Sequence, residues 1–265
     1  MPKIQADEPE SLSELLTSVE AYQAEREVVW YRGVNNVAHD LTPSIIRLTK
    51  KPTEKEVVEL ESAIFSAFSQ RSPPFVEKDF PTSWRTLFFM QHYGIPTRLL
   101  DWSESPFVAL YFALSNVERT NAGVPKKDVA VWMCDPIGWN RGALSHISYQ
   151  GGILDEQCEE VKSYEPSVKH DHRWTMPVML HGTHNSARIV AQRGVFALFG
   201  KGLKSMEDVS KSDAFADDVL RKAIIRKDRV DAFLNSLFQK GITESVIYPD
   251  LQGLALEIRR KFGYL

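Results

Sequence analysis

The sequence predicts an α+β fold, a single compact domain in which small mixed or antiparallel sheets are surrounded by helices. Three observations carry this expectation. Apolar residues recur at three- and four-residue spacing in several separate stretches, the pattern of helices with one buried face. Between these stretches lie short β-branched and aromatic runs that read as strands, Val28-Val29-Trp30-Tyr31 and Asp128-Val129-Ala130-Val131-Trp132-Met133 among them. The two kinds of element do not alternate as strand, helix, strand, so the regular crossovers of a parallel sheet are not expected.

Taken in order, Ser11 to Glu27 places Leu12, Leu15, Leu16, Val19 and Tyr22 on one helical face behind a serine or glutamate cap. The strand that follows ends at Arg32-Gly33. Thr42-Pro43-Ser44 and Lys51-Pro52-Thr53 punctuate a loop. Glu54 to Gln70 is a second helix through Val57, Leu60, Ile64, Phe65 and Phe68, closed by Pro73-Pro74. Thr82 to His92 is a third, stopped by Gly94 and Pro96. Ser105-Pro106 opens Phe107 to Asn116, apolar almost all round and therefore central. The segment from Thr97 to Trp102 is thus expected as a turn between two helices. Residues 135–175 read as irregular, Arg188 to Phe199 as two short apolar runs broken by Gly194, and Leu220 to Ile225 as a strand. A helix from Arg229 to Gly241, a short strand or turn at Val246-Ile247-Tyr248 and a last helix from Leu251 to Lys261 complete the chain.

Composition narrows the function classes. At 43% hydrophobic and 25% charged the chain is an ordinary folding sequence, and 265 residues suffice for a sizeable core. A formal charge of −3 provides no global basic field for duplex nucleic acid or acidic membranes. Cys134 and Cys158 show no paired spacing and read as free thiols in a reducing, cytoplasmic setting. The polar, acidic N-terminus lacks the pattern of an export signal, and no apolar run approaches the ~20 residues needed to span a bilayer, so no membrane contact is expected. Gly-x-Ser-x-Gly, Walker and Gly-x-Gly-x-x-Gly motifs are missing. His170, His172, His181 and His184 cluster in sequence without the cysteine or carboxylate partners of a metal site, so no metal is assigned.

Two segments carry chemistry. In Tyr31-Arg32-Gly33 a strand-end guanidinium offers a rigid fork of donors for phosphate, and the glycine lets backbone approach a ligand. The plain alternative is an arginine paired with a carboxylate at a sheet edge. In Gln91 to Ser103, a histidine, threonine, arginine, aspartate, tryptophan and serine crowd together, a density of hydrogen-bonding groups suited to a polar, planar ligand. The plain alternative here is an Arg98–Asp101 pair that fixes a core turn.

Tyr31-Arg32-Gly33, Leu41-Thr42-Pro43-Ser44 with Arg47, Gln91-His92-Tyr93-Gly94-Ile95-Pro96-Thr97-Arg98-Leu99-Leu100-Asp101-Trp102, and Ala109-Leu110-Tyr111-Phe112-Ala113 closely resemble the FRG domain, named for its Phe-Arg-Gly motif. Arg188-Ile189 with Gln192 and Gly194, and Tyr248-Pro249-Asp250-Leu251 with Gly253-Leu254-Ala255, resemble its later signatures. The resemblance divides the chain into a helical lead-in at residues 1–27, an FRG domain at 28–256 and a helix end at 257–265. Tyr31 stands where the family name has phenylalanine.

A second resemblance, to ADP-ribosyltransferases of the Arg–Ser–Glu class, implies an activity and a related core. By that likeness Arg32 holds the NAD phosphates and Thr97 or Ser103 shapes the nicotinamide pocket. Gln192 stands near the place of the usual glutamate, able to hydrogen-bond a ribose hydroxyl but not to act as a base. Tyr31, Tyr93 or Trp102 would stack on a ring, His92 or Asp101 would position an acceptor, Gly33 would admit the ligand, and Arg98 with Asp101 would support the pocket wall. The implied function is an NAD-dependent ADP-ribosyltransferase or NAD hydrolase, a bacterial toxin or antiviral effector. Its acceptor would be a protein or single-stranded nucleic acid, the latter tracked by Arg47, Lys50, Lys51, Arg71 and Arg85, and an antitoxin or chaperone would partner it. The alternative is a non-catalytic module holding a nucleotide or partner in the same pocket.

Overall fold

The computed structural model describes residues 4–48, 50–76, 82–183 and 186–264. Its centre is one seven-stranded sheet rather than several small ones. The strands are β1 (Gln5–Asp7), β2 (Trp30–Val34), β3 (Leu99–Ser103), β4 (Val129–Cys134), β5 (Val178–Leu180), β6 (Gly194–Leu198) and β7 (Leu220–Ile225), in the order β1-β7-β4-β2-β3-β6-β5. Every neighbouring pair is antiparallel except β1 with β7.

The helices are α1 (Leu12–Gln23), α2 (Glu54–Arg71), α3 (Ser83–His92), α4 (Pro106–Ser115), α5 (Pro136–Ala143), α6 (Ala187–Ala191), α7 (Met206–Val209), α8 (Val230–Gln239), α9 (Glu244–Ile247) and α10 (Leu251–Lys261). Side chains capping backbone N–H groups fix most of their starts: Ser11 for α1, Thr53 with Glu56 in a reciprocal capping box for α2, Thr82 for α3 and Ser105 for α4.

The period-two alternation of the strands sorts the core into two layers. Tyr31, Val129, Val131, Met133, Ala223 and Ile225 pack under α1, α4 and α8. Trp30, Ala130, Trp132 and Cys134 belong to the opposite layer with Leu87 and Phe88 of α3 and Trp139 of α5. Helix α4 is therefore buried nearly all round, as its sequence demands.

Gly33 owes its identity to this packing. A Cβ there would lie 1.8 Å from the Ala109 carbonyl oxygen and 2.6 Å from the Ala113 nitrogen of α4. The close approach that the glycine permits is that of α4. Gly33→Ala is expected to push α4 off β2 and cost about 2–3 kcal/mol or more, read as a lower urea midpoint at unchanged m-value.

Several sequence expectations are corrected. Strand β2 does not stop at Arg32-Gly33 but runs to Val34, fully paired with β4, so Arg32 is a mid-strand residue. Leu99 to Ser103 is a strand and not a turn, paired along its length with β6. Residues 135–175 include α5, residues 187–191 form α6 rather than an apolar extended run, and Val246-Ile247 belong to α9.

Candidate functional site

The site opens where the sheet splits. Strand β2 pairs with β4 over five residues, yet meets β3 in register only at Tyr31 opposite Ser103. Strand β3 stays with β6 from Leu99 to Ser103. Beyond the single shared pair the two strands part, and a cavity of about 350 Å³ lies between them, at the lower end of ligand-site volumes. Its walls come from β2 and β3, the ends of α3 and α4, the loop after β2, and the α6–β6 segment.

Arg32 reaches across the split. Its Nη1 donates to the Asp101 backbone carbonyl, its Nε is buried without a partner, and among the described residues no carboxylate lies within ion-pair distance. Burial pulls its pKa down to about 10, with Asp101 and Glu207 opposing the shift and Arg47 reinforcing it, so the guanidinium is a cation at neutral pH. The Trp102 indole N–H is likewise buried without an acceptor on the cavity wall. Two more arginines line the same space. Arg47 spends Nε and Nη2 on the Thr42 carbonyl at 2.9 and 2.5 Å, and Arg188 lies 4.7 Å from the Tyr248 ring centroid. Against these three cations the lining holds two carboxylates, Asp40 and Asp101. A surplus of donors in a partly enclosed space favours an anionic ligand.

Of the residues singled out from the sequence, Tyr31, Arg32, Gly33, His92, Asp101, Trp102, Ser103 and Gln192 all line this cavity. Thr97, Tyr93 and Arg98 do not. Thr97 is buried and donates to Gln91 Oε1 at 2.6 Å, while Gln91 Nε2 donates to Asp101 Oδ2 at 2.8 Å. Gln91 thus couples a buried threonine to the aspartate on the wall. The Ser103 hydroxyl donates to the Gln192 carbonyl at 2.7 Å, and Gln192 Nε2 donates to the Ile247 carbonyl at 3.1 Å, which leaves the amide oxygen to accept from a ligand. Tyr93 is 65% exposed and packs edge-on to His92, away from the lining.

Arg98 is wholly buried, and its partner is not Asp101. Its Nε donates to Glu61 Oε1 at 2.6 Å, with Nη2 on the Tyr164 carbonyl at 2.6 Å and Nη1 on that of Phe199. The other oxygen of Glu61 accepts from Arg173 Nη1 at 2.6 Å. Arg98, Glu61 and Arg173 form an enclosed triad that ties α2 to β3 and to the segment after α5. Asp101 is exposed, so the local Arg98–Asp101 pair expected from their spacing does not form.

His39, Asp40, Arg47 and Arg188 contribute to the lining although the dense motif around residues 91–103 does not include them. Glu207, with both oxygens 3.0 Å from the Leu41 nitrogen, adds a negative field to Arg32 from α7. Burial, reinforced by Arg188 and opposed by Asp101, holds His92 below the ordinary imidazole range. The ring is therefore neutral at pH 7, and acidification adds a positive charge beside Arg188. Affinity for a phosphate-bearing ligand is expected to rise as pH falls through that depressed value, and to lose this dependence in His92→Gln. Calorimetric titration with ADP-ribose between pH 7 and pH 5 measures it.

Among the described residues no group of three or more His, Cys, Asp or Glu is placed to hold a metal ion. His170 contacts Glu54 at 3.5 Å and Asp171 at 3.0 Å, His181 packs edge-on to Trp30, and His184 lies outside the described residues. No helix among the described residues is long and apolar enough to cross a membrane.

Fold and site together define an α+β domain with an arginine-lined cleft at a split in its sheet. Residues 27–122 match the family model of the FRG domain, from the lead into β2 to the loop after α4. That span holds Arg32, Arg47, Gln91, His92, Asp101 and Trp102, whereas the segments around Arg188 and Tyr248 lie beyond it. No curated protein and no solved structure matches the chain.

Proposed function

We propose that the cleft binds NAD and that the protein uses it as an ADP-ribosyl donor, as a toxin-like or antiviral effector acting on a protein or single-stranded nucleic acid. One observation carries the reading. Arg32 is a cation held in the wall of a cavity, with a backbone carbonyl as its acceptor and, among the described residues, no carboxylate within ion-pair distance. Such a group is costly to bury unless a ligand anion completes its shell. A pyrophosphate between Arg32, Arg47 and Arg188 would do so, with Trp102 N–H as a further donor and Phe112 as apolar wall. The cavity would enclose one half of a dinucleotide and leave the other across its open rim.

The chemistry asked of the protein is modest. The nicotinamide of NAD is a cationic ring that leaves the ribose as a neutral molecule, taking the bonding electron pair, so gripping the pyrophosphate and orienting the ribose would supply most of what transfer needs. The Gln192 amide oxygen would accept from a ribose hydroxyl. A specific observation also favours a second reading, that of a non-catalytic nucleotide-binding module: among the described lining residues there is no glutamate, and the Gln192 side-chain amide donates a hydrogen bond to the Ile247 carbonyl.

Incubation with adenine-labelled NAD and cell lysate separates the readings. Label on protein or nucleic acid supports transfer, and release of nicotinamide without label transfer supports hydrolysis. Saturable NAD binding with neither product supports the module.

A further inference from the structure

Helix α10 is mounted with its polar side inward. Three residues hold it to the domain. A Cβ on Gly253 would lie 2.0 Å from the Tyr248 carbonyl oxygen, so the two backbones touch there. Glu257 accepts from Thr243 Oγ1 at 2.6 Å, and Arg260 pairs with Glu244 at 2.7 and 2.9 Å while covering the Phe238 ring. At ~100° per residue these three lie on one side. Leu251, Leu254, Ile258 and Phe262 fall within roughly 80° on the opposite side and are 83%, 44%, 48% and 71% exposed. A helix ordinarily buries its apolar stripe and wets its polar one. Here Leu256 is half-buried on the inward side, but the wider apolar stripe stays exposed, and a contiguous apolar patch of this kind marks an interaction surface.

We infer that this stripe pairs with the same stripe of a second copy, antiparallel, about a two-fold axis near residue 256. The spacing is self-complementary: with that axis Leu251 faces Phe262 of the partner subunit, and Leu254 faces Ile258 of the partner subunit. Charge runs the same way. Asp250 caps the start of α10, whereas Arg259, Arg260 and Lys261 fill its last turn. Antiparallel pairing sets Asp250 beside Lys261 of the partner subunit and opposes the helix dipoles, while parallel pairing stacks like charge on like. An anionic lipid surface would take the basic end and repel Asp250. The pairing is isologous, as a closed dimer requires. Eleven residues give a contact only ~16 Å long, so the dimer is a weak one.

Sedimentation equilibrium on the full chain tests this. The wild type should reach twice its 30.2 kDa mass as concentration rises through the micromolar range. Ile258→Gln should raise the dimer Kd by ~tenfold or more with an unchanged melting curve. Lys261→Glu should also weaken the dimer, and Asp250→Asn, which keeps the helix cap, should restore part of the loss in that background. A wild type that stays monomeric throughout would overturn the proposal, as would a dimer indifferent to Ile258→Gln. Binding to phosphatidylglycerol vesicles by a chain that remains monomeric would overturn it too.

Discussion

Glu61→Ala is expected to destabilise the protein by about 3–5 kcal/mol, a large fraction of the stability of an ordinary domain. Glu61 is 1% exposed and is the shared carboxylate of two buried guanidinium groups, Arg98 and Arg173. Its removal leaves both cations enclosed, with only backbone carbonyls as acceptors. Burial already lowers the Arg173 pKa, with Arg98 adding to the shift and Glu61 opposing it. Glu61→Gln should fall between, since an amide oxygen still accepts one hydrogen bond. Replacing the whole triad, by Glu61→Leu with Arg98→Met and Arg173→Met, removes the desolvation cost along with the attraction and should recover most of the loss. Urea unfolding of the three variants reads these differences as midpoints at constant m-value. Asp101→Ala, by contrast, removes an exposed carboxylate whose partner is Gln91, so its stability cost should stay near 1 kcal/mol.

Arg32→Ala is expected to act on binding in place of stability. The guanidinium spends one donor on the Asp101 carbonyl and has no ion-pair partner, so its removal strands no buried charge. The melting temperature should move little. Affinity for NAD, ADP-ribose or pyrophosphate should fall ~100-fold or more, the effect of losing a charge-assisted fork in a partly desolvated site. Arg32→Lys keeps the charge and loses the fork, and should recover only part of that affinity. The contrast between Glu61 and Arg32 would separate the arginines that hold the fold together from the one proposed to face a ligand.

Much of the fold was legible in the sequence, for reasons visible in the elements themselves. Helices α1, α3, α4, α8 and α10 have long apolar periods with caps or glycine stops, and β2, β4 and β7 are β-branched runs with clear punctuation. What escaped was short or paired at long range. β1 and β5 are three residues each, too short to show a period. β3 follows a helix and a proline turn and carries polar groups among its apolar ones, so Leu99 to Ser103 looked like loop chemistry. Only its pairing with β6, almost a hundred residues on, makes it a strand. α5 is disguised by Gly138 and Gly142. The second of these is needed because a side chain there would meet the Ala214 carbonyl and the Phe215 ring.

The candidate site divides along the same line. Its polar density between Gln91 and Ser103 was visible locally, and most of those residues do reach the cavity. The partnerships were not. Arg98 and Asp101 sit three apart and suggest a local pair, yet Arg98 finds Glu61 thirty-seven residues earlier in the chain, because α2 carries a glutamate on its buried face. Likewise the cation surplus of the cleft depends on Arg47 and Arg188, which the fold brings to Arg32 from other segments.

Calorimetric titration of NAD into the wild-type protein and into Arg32→Ala, with the melting temperature of each recorded alongside, tests the central claim most directly. The account predicts saturable binding of one NAD per chain to the wild type, ~100-fold or greater weakening in Arg32→Ala, and nearly equal melting temperatures. A wild type that takes up no NAD, or an Arg32→Ala protein that binds it as tightly as the wild type does, would contradict the account.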